Sequence, residues 1–288
     1  MIIDWYPGHM KKARAQIIEI LPKIDLVLEV VDARLPSSSS NPLLERLRGD
    51  KPCIKILNKK DLADANITRS WLRHFEQHHR LKALSLEARD RRDVGLVPKL
   101  CRNMLPERVR SRKPLRIMVA GIPNVGKSTL INTLAGKKIA RVGDKPAITT
   151  TTQQIDLRNG LLLLDTPGLL WPVLDNLGGA CRLAASGALG EAAYATLEVA
   201  LTTINYLLTE YPHQLISRYQ LAEPKPDPIL ILEQIGRSRG CLVSGGNIDL
   251  QRAADILLRD LRGNKIGRIS LERPDEKDSP FDQYQEPE

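Results

Sequence analysis

Three short clusters in this 288-residue chain carry side chains suited to nucleotide chemistry. The first, Gly121-Ile-Pro-Asn-Val-Gly-Lys-Ser128, has the pattern G-x-x-x-x-G-K-S. Gly121 and Gly126 let backbone N–H groups wrap phosphate oxygens, and a helix opening at Lys127 would point its positive end at the same anion. The backbone from Asn124 through Val125 and Gly126 to Thr129 would line that cradle. Lys127 would reach the β- and γ-phosphates, and Ser128 would ligate Mg²⁺. The second cluster, Asp165-Thr-Pro-Gly168, lies 38 residues beyond Lys127. An aspartate at a strand end can hold Mg²⁺, and the Gly168 N–H could touch a γ-phosphate and register its loss. The third, Asn58-Lys59-Lys60-Asp61, has the pattern N-K-x-D. The Asp61 carboxylate can accept both the N1–H and the 2-amino group of guanine; adenine offers neither and would leave a buried acid unpaired. Asn58 would brace the site and bond the base, and the Lys59 stem would cover its face. Ser85-Leu86-Glu87 fits the loop that backs the guanine.

Each cluster needs an element to hold it. Leu26–Val31, Cys53–Leu57, Leu115–Ala120 and Gly160–Leu164 are short, mostly apolar runs of strand length, and a further short run precedes Ser85. Helix-length segments lie between them, at 67–79 and 127–135. Buried strands alternating with helices predict an α/β fold, a mainly parallel sheet with helices on both faces. Asn103–Pro114 reads as a basic linker between two halves of that sheet, and Ser37–Ser40 as a mobile loop. Beyond Trp171-Pro172 the pattern turns helical: 191–208, 228 to about 240, and 249–261. In the last of these Ala253, Ala254, Leu257, Leu258 and Leu261 face inward, and Arg252, Arg259 and Arg262 outward. This divides the chain into a nucleotide domain (1–177), a small all-helical domain (178–273) and a flexible acidic tail (274–288).

Hydrophobic residues make up 42% and charged residues 27%, which excludes a wholly disordered chain. No apolar run approaches the roughly 18 residues that span a bilayer, so no membrane role is expected. Asp4, Lys11, Lys12 and Arg14 break any secretory apolar core. The four cysteines are scattered, which argues against a disulfide framework and fits a reducing, cytoplasmic setting. The formal charge is +9, but the last fifteen residues carry −5 and the rest therefore +14. A body this basic suits either a polyanion partner or simple solubility.

The order of the clusters is unusual: Asn58 comes 63 residues before Gly121, where an ordinary GTPase has its guanine box last. The sheet can still close if it is circularly permuted, because domain termini usually lie close together. With that order the chain resembles the YlqF/RbgA family of circularly permuted bacterial GTPases, which assist assembly of the large ribosomal subunit. The likeness runs from Trp5 to about Pro274. It includes Trp5-Tyr-Pro-Gly-His-Met10, Asp32-Ala-Arg-Leu-Pro36, the nucleotide boxes, and Lys265-Ile-Gly-Arg-Ile-Ser-Leu-Glu272. Pro146-Ala-Ile-Thr149 and Gln153 are similar to the family's switch segment. Asn264, Ala147 and Ser40 depart from its usual glycine, glycine and arginine.

The resemblance implies a GTP-hydrolysing switch with slow intrinsic turnover, since Leu169 stands where Ras-type enzymes have a water-orienting glutamine. It offers His9 as the group that positions water, the alternative being a structural cap in the Pro-Gly-His-Met turn. It implies that Thr149 binds Mg²⁺ and the γ-phosphate, with Thr150–Thr152 leaving the register open. It implies a K⁺ ion at Asn124 beside the phosphates, against a purely structural part for that side chain. The expected cofactors are therefore GTP/GDP, Mg²⁺ and K⁺. The expected partner is the large ribosomal subunit and its RNA, met by a monomeric protein through Arg252, Arg259, Arg262, Lys265 and Arg268 with Lys11, Lys12 and Arg14. Chain order adds a further expectation: Asp165–Gly168 leads straight into the helical domain, which the γ-phosphate could reposition. The alternative is a GTP-regulated binding module for another RNA or a protein, with incidental hydrolysis.

Overall fold

The computed structural model describes residues 15–111, 113–139, 153–166, 177–190, 193–221, 227–243, 245–274 and 279–282. Six strands form one sheet: β1 (Leu26–Asp32), β2 (Cys53–Asn58), β3 (Leu81–Leu86), β4 (Leu115–Ala120), β5 (Gln153–Asp156) and β6 (Leu161–Asp165), in the order β3-β2-β1-β4-β6-β5. All adjacent pairs are parallel except β5 with β6. The parallel strands are apolar because helices cover both faces. Every residue of β1 and of β2 is buried. The polar strand β5 needs no such run; it is an edge strand that buries Ile155 alone.

The helices of this half include α1 (Pro42–Arg48), α2 (Ala65–Glu76), α3 (Arg91–Val94), α4 (Leu96–Met104), α5 (Pro106–Arg110) and α6 (Lys127–Ala135), and residues 15–20 are helical as well. Asp64 starts α2 by accepting hydrogen bonds from the Asn66 and Ile67 amides at 2.7 and 3.1 Å. Ile67, Trp71 and Phe75 then recur at four-residue steps and are buried. His74 lies edge-on to Trp71, while His78 and His79 follow the helix end. Part of the basic stretch 103–114 is helix α5 rather than linker.

The helical region comprises α7 (Leu177–Ser186), α8 (Thr196–Glu210), α9 (Pro212–Tyr219), α10 (Pro228–Ser238) and α11 (Leu250–Arg262). The five inward positions expected of α11 are all buried. One continuous apolar cluster runs from Leu28 and Ile56 in the sheet to Tyr206 and Leu257 in these helices. A smaller one, including Ile17, Leu44 and Met118, lies apart from it.

Two expectations are corrected here. The segment 37–40 is tied down rather than a mobile loop: the hydroxyls of Ser38, Ser39 and Ser40 all make hydrogen bonds, and the Ser37 amide donates to Glu272. Ser39 Oγ accepts from the Asp32 amide at 2.9 Å and donates to Leu35 O at 2.7 Å, and the Ser38 amide donates to buried Glu272 at 3.1 Å. The acidic end is not free throughout either. Phe281 is fully buried against Tyr206, and Asp282 pairs with Arg182 at 2.9 Å. An aromatic ring at the end of a polar run supplies the apolar area that holds it down.

Candidate guanine-nucleotide site

The clusters singled out in the sequence meet at the carboxyl edge of the sheet, where ligands of open α/β folds bind. Asn58 ends β2 in register with Asp32 of β1 and Leu86 of β3. The phosphate loop leaves β4, next to β1 in the sheet. Gly121 has φ +148°, and a Cβ there would collide with the Val30 carbonyl of β1. Asn124 is also left-handed, at φ 59°. Gly126, at φ +97°, lets Asn58 approach: a Cβ would meet the Asn58 amide.

Asn58 ties the guanine box to the phosphate loop. Its Nδ2 donates to Val125 O at 2.7 Å, and its Oδ1 accepts from the Ala88 amide at 2.9 Å. Thr133 of α6 adds a second tie, donating from Oγ1 to Ala88 O at 2.7 Å. Leu86 is buried and its carbonyl accepts from the Lys60 amide; Ser85, one residue earlier, is half-buried. Ala88 and Thr133 were not legible as site residues, because each contributes through a backbone group or a short hydroxyl.

Lys59, at φ 62°, directs its ammonium to Asp32 Oδ2 at 2.9 Å. Asp32 also takes the Arg34 guanidinium, through Nε at 3.0 Å and Nη2 at 2.8 Å. Burial alone would raise the Asp32 pKa, but the two cations outweigh it and hold the carboxyl well below its usual range. The Asp61 carboxyl is left half-buried beside this group.

The phosphate side is arranged differently. Lys127, 8% exposed, donates to the loop carbonyl of Ile122 at 2.6 Å. Burial lowers it to about 8, with Asp165 opposing. Asp165, 1% exposed, is pushed up to about 6 by burial, with Lys127 opposing, and its Oδ1 has no hydrogen-bond partner among the described residues. A buried carboxyl with an orphaned oxygen fits a cation. Ser128 and Thr129 occupy the first turn of α6. Asn124 Nδ2 donates to Gly187 O at 3.4 Å. His9, Thr149, Gly168 and Leu169 lie outside the described residues. Gln153 is the first residue of β5, opposite Asp165 and exposed.

The chain is 40% identical over 284 residues to Ribosome biogenesis GTPase A of Bacillus cereus, covering 96% of this chain and 95% of that protein. The chain belongs to the ribosome biogenesis GTPase A family. Mitochondrial ribosome-associated GTPase 1 of the mouse is 33% identical over 299 residues, covering 94% of this chain and 90% of that one. The GDP-bound structure of TM YlqF matches with a TM-score of 0.64 at 29% identity, over 91% of this chain and all of that one. GNP-bound YlqF from T. maritima matches with the same score at 28% identity, over 92% of this chain and all of that one. The family model described as 50S ribosome-binding GTPase matches residues 116–231. That span holds the phosphate loop and Asp165 but not the guanine box at Asn58–Asp61, which precedes it in the chain and adjoins it in space. The fold of this ribosome biogenesis GTPase A member is therefore a circularly permuted P-loop GTPase with helices following.

The basic surface expected for RNA is only partly exposed. Arg252, Arg259 and Arg268 are exposed, and exposed Lys265 pairs with Asp260 at 3.4 Å. Arg262 is a correction: it turns inward, donating to Ala184 O at 2.9 Å and Ala185 O at 3.2 Å. The last carbonyls of a helix lack intrahelical donors, and this guanidinium supplies one to Ala185 O and a second to Ala184 O, which also accepts from the Gly187 amide. Lys11, Lys12 and Arg14 lie outside the described residues. Among the described residues no helix is long and apolar enough to cross a membrane.

Proposed function

We infer that the protein is a GTP-hydrolysing switch that assists assembly of the large ribosomal subunit. The observation that carries the GTP part is the bond from Asn58 Nδ2 to Val125 O, which brings a guanine-reading box onto a phosphate loop 67 residues further along the chain. Family membership carries the ribosomal part.

In this reading Asp61 reads the guanine edge and Lys59 flanks the base. The amides of Asn124–Thr129 and the Lys127 ammonium hold the phosphates. Mg²⁺ fits at Ser128 and Asp165, with Thr149 completing its oxygen donors; the ion would neutralise charge on the β- and γ-phosphates. K⁺ fits the Asn124 amide, whose Nδ2 is engaged and whose Oδ1 makes no hydrogen bond among the described residues. Gly168 senses the γ-phosphate, and His9 orients the attacking water. Turnover by the protein alone is slow because Leu169 has no hydrogen-bonding group. The helical domain, from residue 178 to 273, presents Arg252, Arg259, Lys265 and Arg268 to ribosomal RNA. The protein acts as a cytoplasmic monomer.

The test is GTP hydrolysis in K⁺ and in Na⁺ buffer, each with and without purified large ribosomal subunits. Stimulation by the subunits, larger in K⁺, is expected. Equal slow turnover in all four mixtures would retain the nucleotide site and remove the ribosomal reading.

A further inference from the structure

Arg34 is the largest fully buried side chain in the described protein. Besides chelating Asp32, its Nη2 donates to Ser186 O at 3.0 Å, across 152 residues of sequence. Ser186 is the last residue of α7, the first helix of the helical region. The Arg34 carbonyl accepts from the Leu271 amide at 2.6 Å, in the segment that closes that region. The adjoining carbonyl, Gly187 O, accepts from Asn124 of the phosphate loop. One two-residue turn therefore receives a donor from the guanine side and another from the phosphate side. The same end of α7 is braced from the other direction by Arg262, on Ala184 O, Ala185 O and the Tyr194 hydroxyl. Gly187, at φ +80°, has no Cβ in the way of the Arg262 stem, which would lie 3.2 Å from one.

We propose that the Ser186–Gly187 turn is the contact through which the helical region and the guanine site set each other's state, with Arg34 as the positioning residue. Asp32 orients the Lys59 ammonium, Arg34 orients Asp32, and Ser186 O fixes Arg34. The three links are hydrogen-bonded, and Asp32 and Arg34 are both almost fully buried, so the chain cannot slacken at one end without releasing the other. A partner that shifts the helical region changes the hold on Lys59 and so the affinity for nucleotide. By reciprocity, nucleotide binding tightens the end of α7. The inference rests on the reading of the site as a guanine-nucleotide site.

A double-mutant cycle on the full chain tests it, with the GDP dissociation constant as readout and thermal melting as the check on folding. Arg34→Met is expected to weaken GDP binding at least tenfold, and Arg34→Lys to restore part of it. The hydrogen bonds described for Arg262 go to Ala184, Ala185 and Tyr194, none of them in the base box or the phosphate loop, and Arg262→Ala is expected to weaken GDP binding at least threefold in the wild-type background. Placed on Arg34→Met it adds nothing. In wild type, GDP slows amide exchange of residues 184–189; in Arg34→Met it does not. An unchanged GDP affinity in folded Arg262→Ala overturns the coupling while leaving the nucleotide site in place. So do fully additive effects. Absence of GDP binding by the wild type overturns the site itself. If Arg34→Met does not fold, Arg262→Ala and the wild-type exchange experiment decide by the same criteria.

Discussion

On the guanine side Asp32 lies between two cations, within 3.0 Å of each. Among the described residues on the phosphate side, Lys127 donates only to a loop carbonyl and Asp165 keeps an oxygen without a partner. The pKa directions follow. Asp32 is held well below the usual range, whereas Asp165 rises and Lys127 falls. The guanine side pairs its carboxylate within the protein, although Arg34 Nη1 keeps no partner among the described residues and burial lowers Lys59; the phosphate side leaves its carboxylate for the ligand to settle. A base is neutral and is recognised by shape and hydrogen bonds, so its pocket can be complete beforehand. A triphosphate with its cation brings several charges, and a pocket that had already neutralised its own would gain little from them.

The largest effect should come from the phosphate side. Lys127→Met removes the buried cation and is expected to weaken GDP and GTP binding at least about a hundredfold, or about 2.7 kcal/mol. The same change deletes a desolvated charge, so the nucleotide-free melting temperature should hold or rise. A fall in both would mean that Lys127 is as settled as Asp32, and the contrast would be lost. On the guanine side, Asp61→Asn replaces one of two acceptors by a donor. Calorimetry should show GDP weakened by about one to two orders of magnitude, with xanthosine diphosphate, which has a carbonyl at the 2-position, gaining.

Titration separates the two sides without mutation. The folded protein holds the Asp165 proton up to about 6, against an ordinary value of 3.8. Its share of nucleotide-free stability therefore falls as pH rises from about 4 to about 6, and is level above that. Asp32 has the opposite sign: its share is present above about 4 and is lost as pH falls further. A cation needs the Asp165 carboxylate ionised, so Mg²⁺-dependent GDP affinity should fall about tenfold per pH unit below about 6. It should also decline above about 8, as Lys127 loses its proton. GDP binding measured from pH 5 to 9, with Mg²⁺ and with chelator, checks this. A flat profile would mean that Asp165 is not waiting for a cation.

The phosphate side was also the more legible of the two in the sequence. Gly121–Ser128 reads directly, and α6 spans 127–135 as expected, because glycine opens and closes it. The inward face of α11 followed from its periodicity. The supports of the guanine side were not legible as such. Asp32-Ala-Arg34 entered only as part of a family likeness. Its role depends on β1 lying beside β2 and on a carbonyl 152 residues away. Arg262 follows an apolar face at a spacing that reads as outward. A guanidinium reaches far enough to turn back onto carbonyls that a neighbouring helix leaves open. The serines of 37–40 read as loop because hydroxyls that cap strands and buried acids have the same composition as loops that do neither. Local pattern specifies local elements; long-range polar ties depend on topology.

The smallest expected effect decides whether the two sides are independent. Thr133 Oγ1 bonds Ala88 O, and Ala88 in turn donates its amide to Asn58. Thr133→Val keeps the volume but leaves that carbonyl without its hydroxyl donor, a loss of about 1 kcal/mol. For a chain of this size that is about 2–4 °C in melting temperature. If the hydroxyl only steadies α6, the melting temperature falls and GDP affinity stays put. If the ties at Asn58 and Thr133 transmit the settled geometry of the guanine side to the phosphate loop, GDP affinity should fall about fivefold as well, by the same 1 kcal/mol. The second outcome is expected, because Thr133 lies on the helix whose first turn carries Lys127 and Ser128. Paired with Lys127→Met, it should lose most of its effect on affinity, since the group it helps to place is gone.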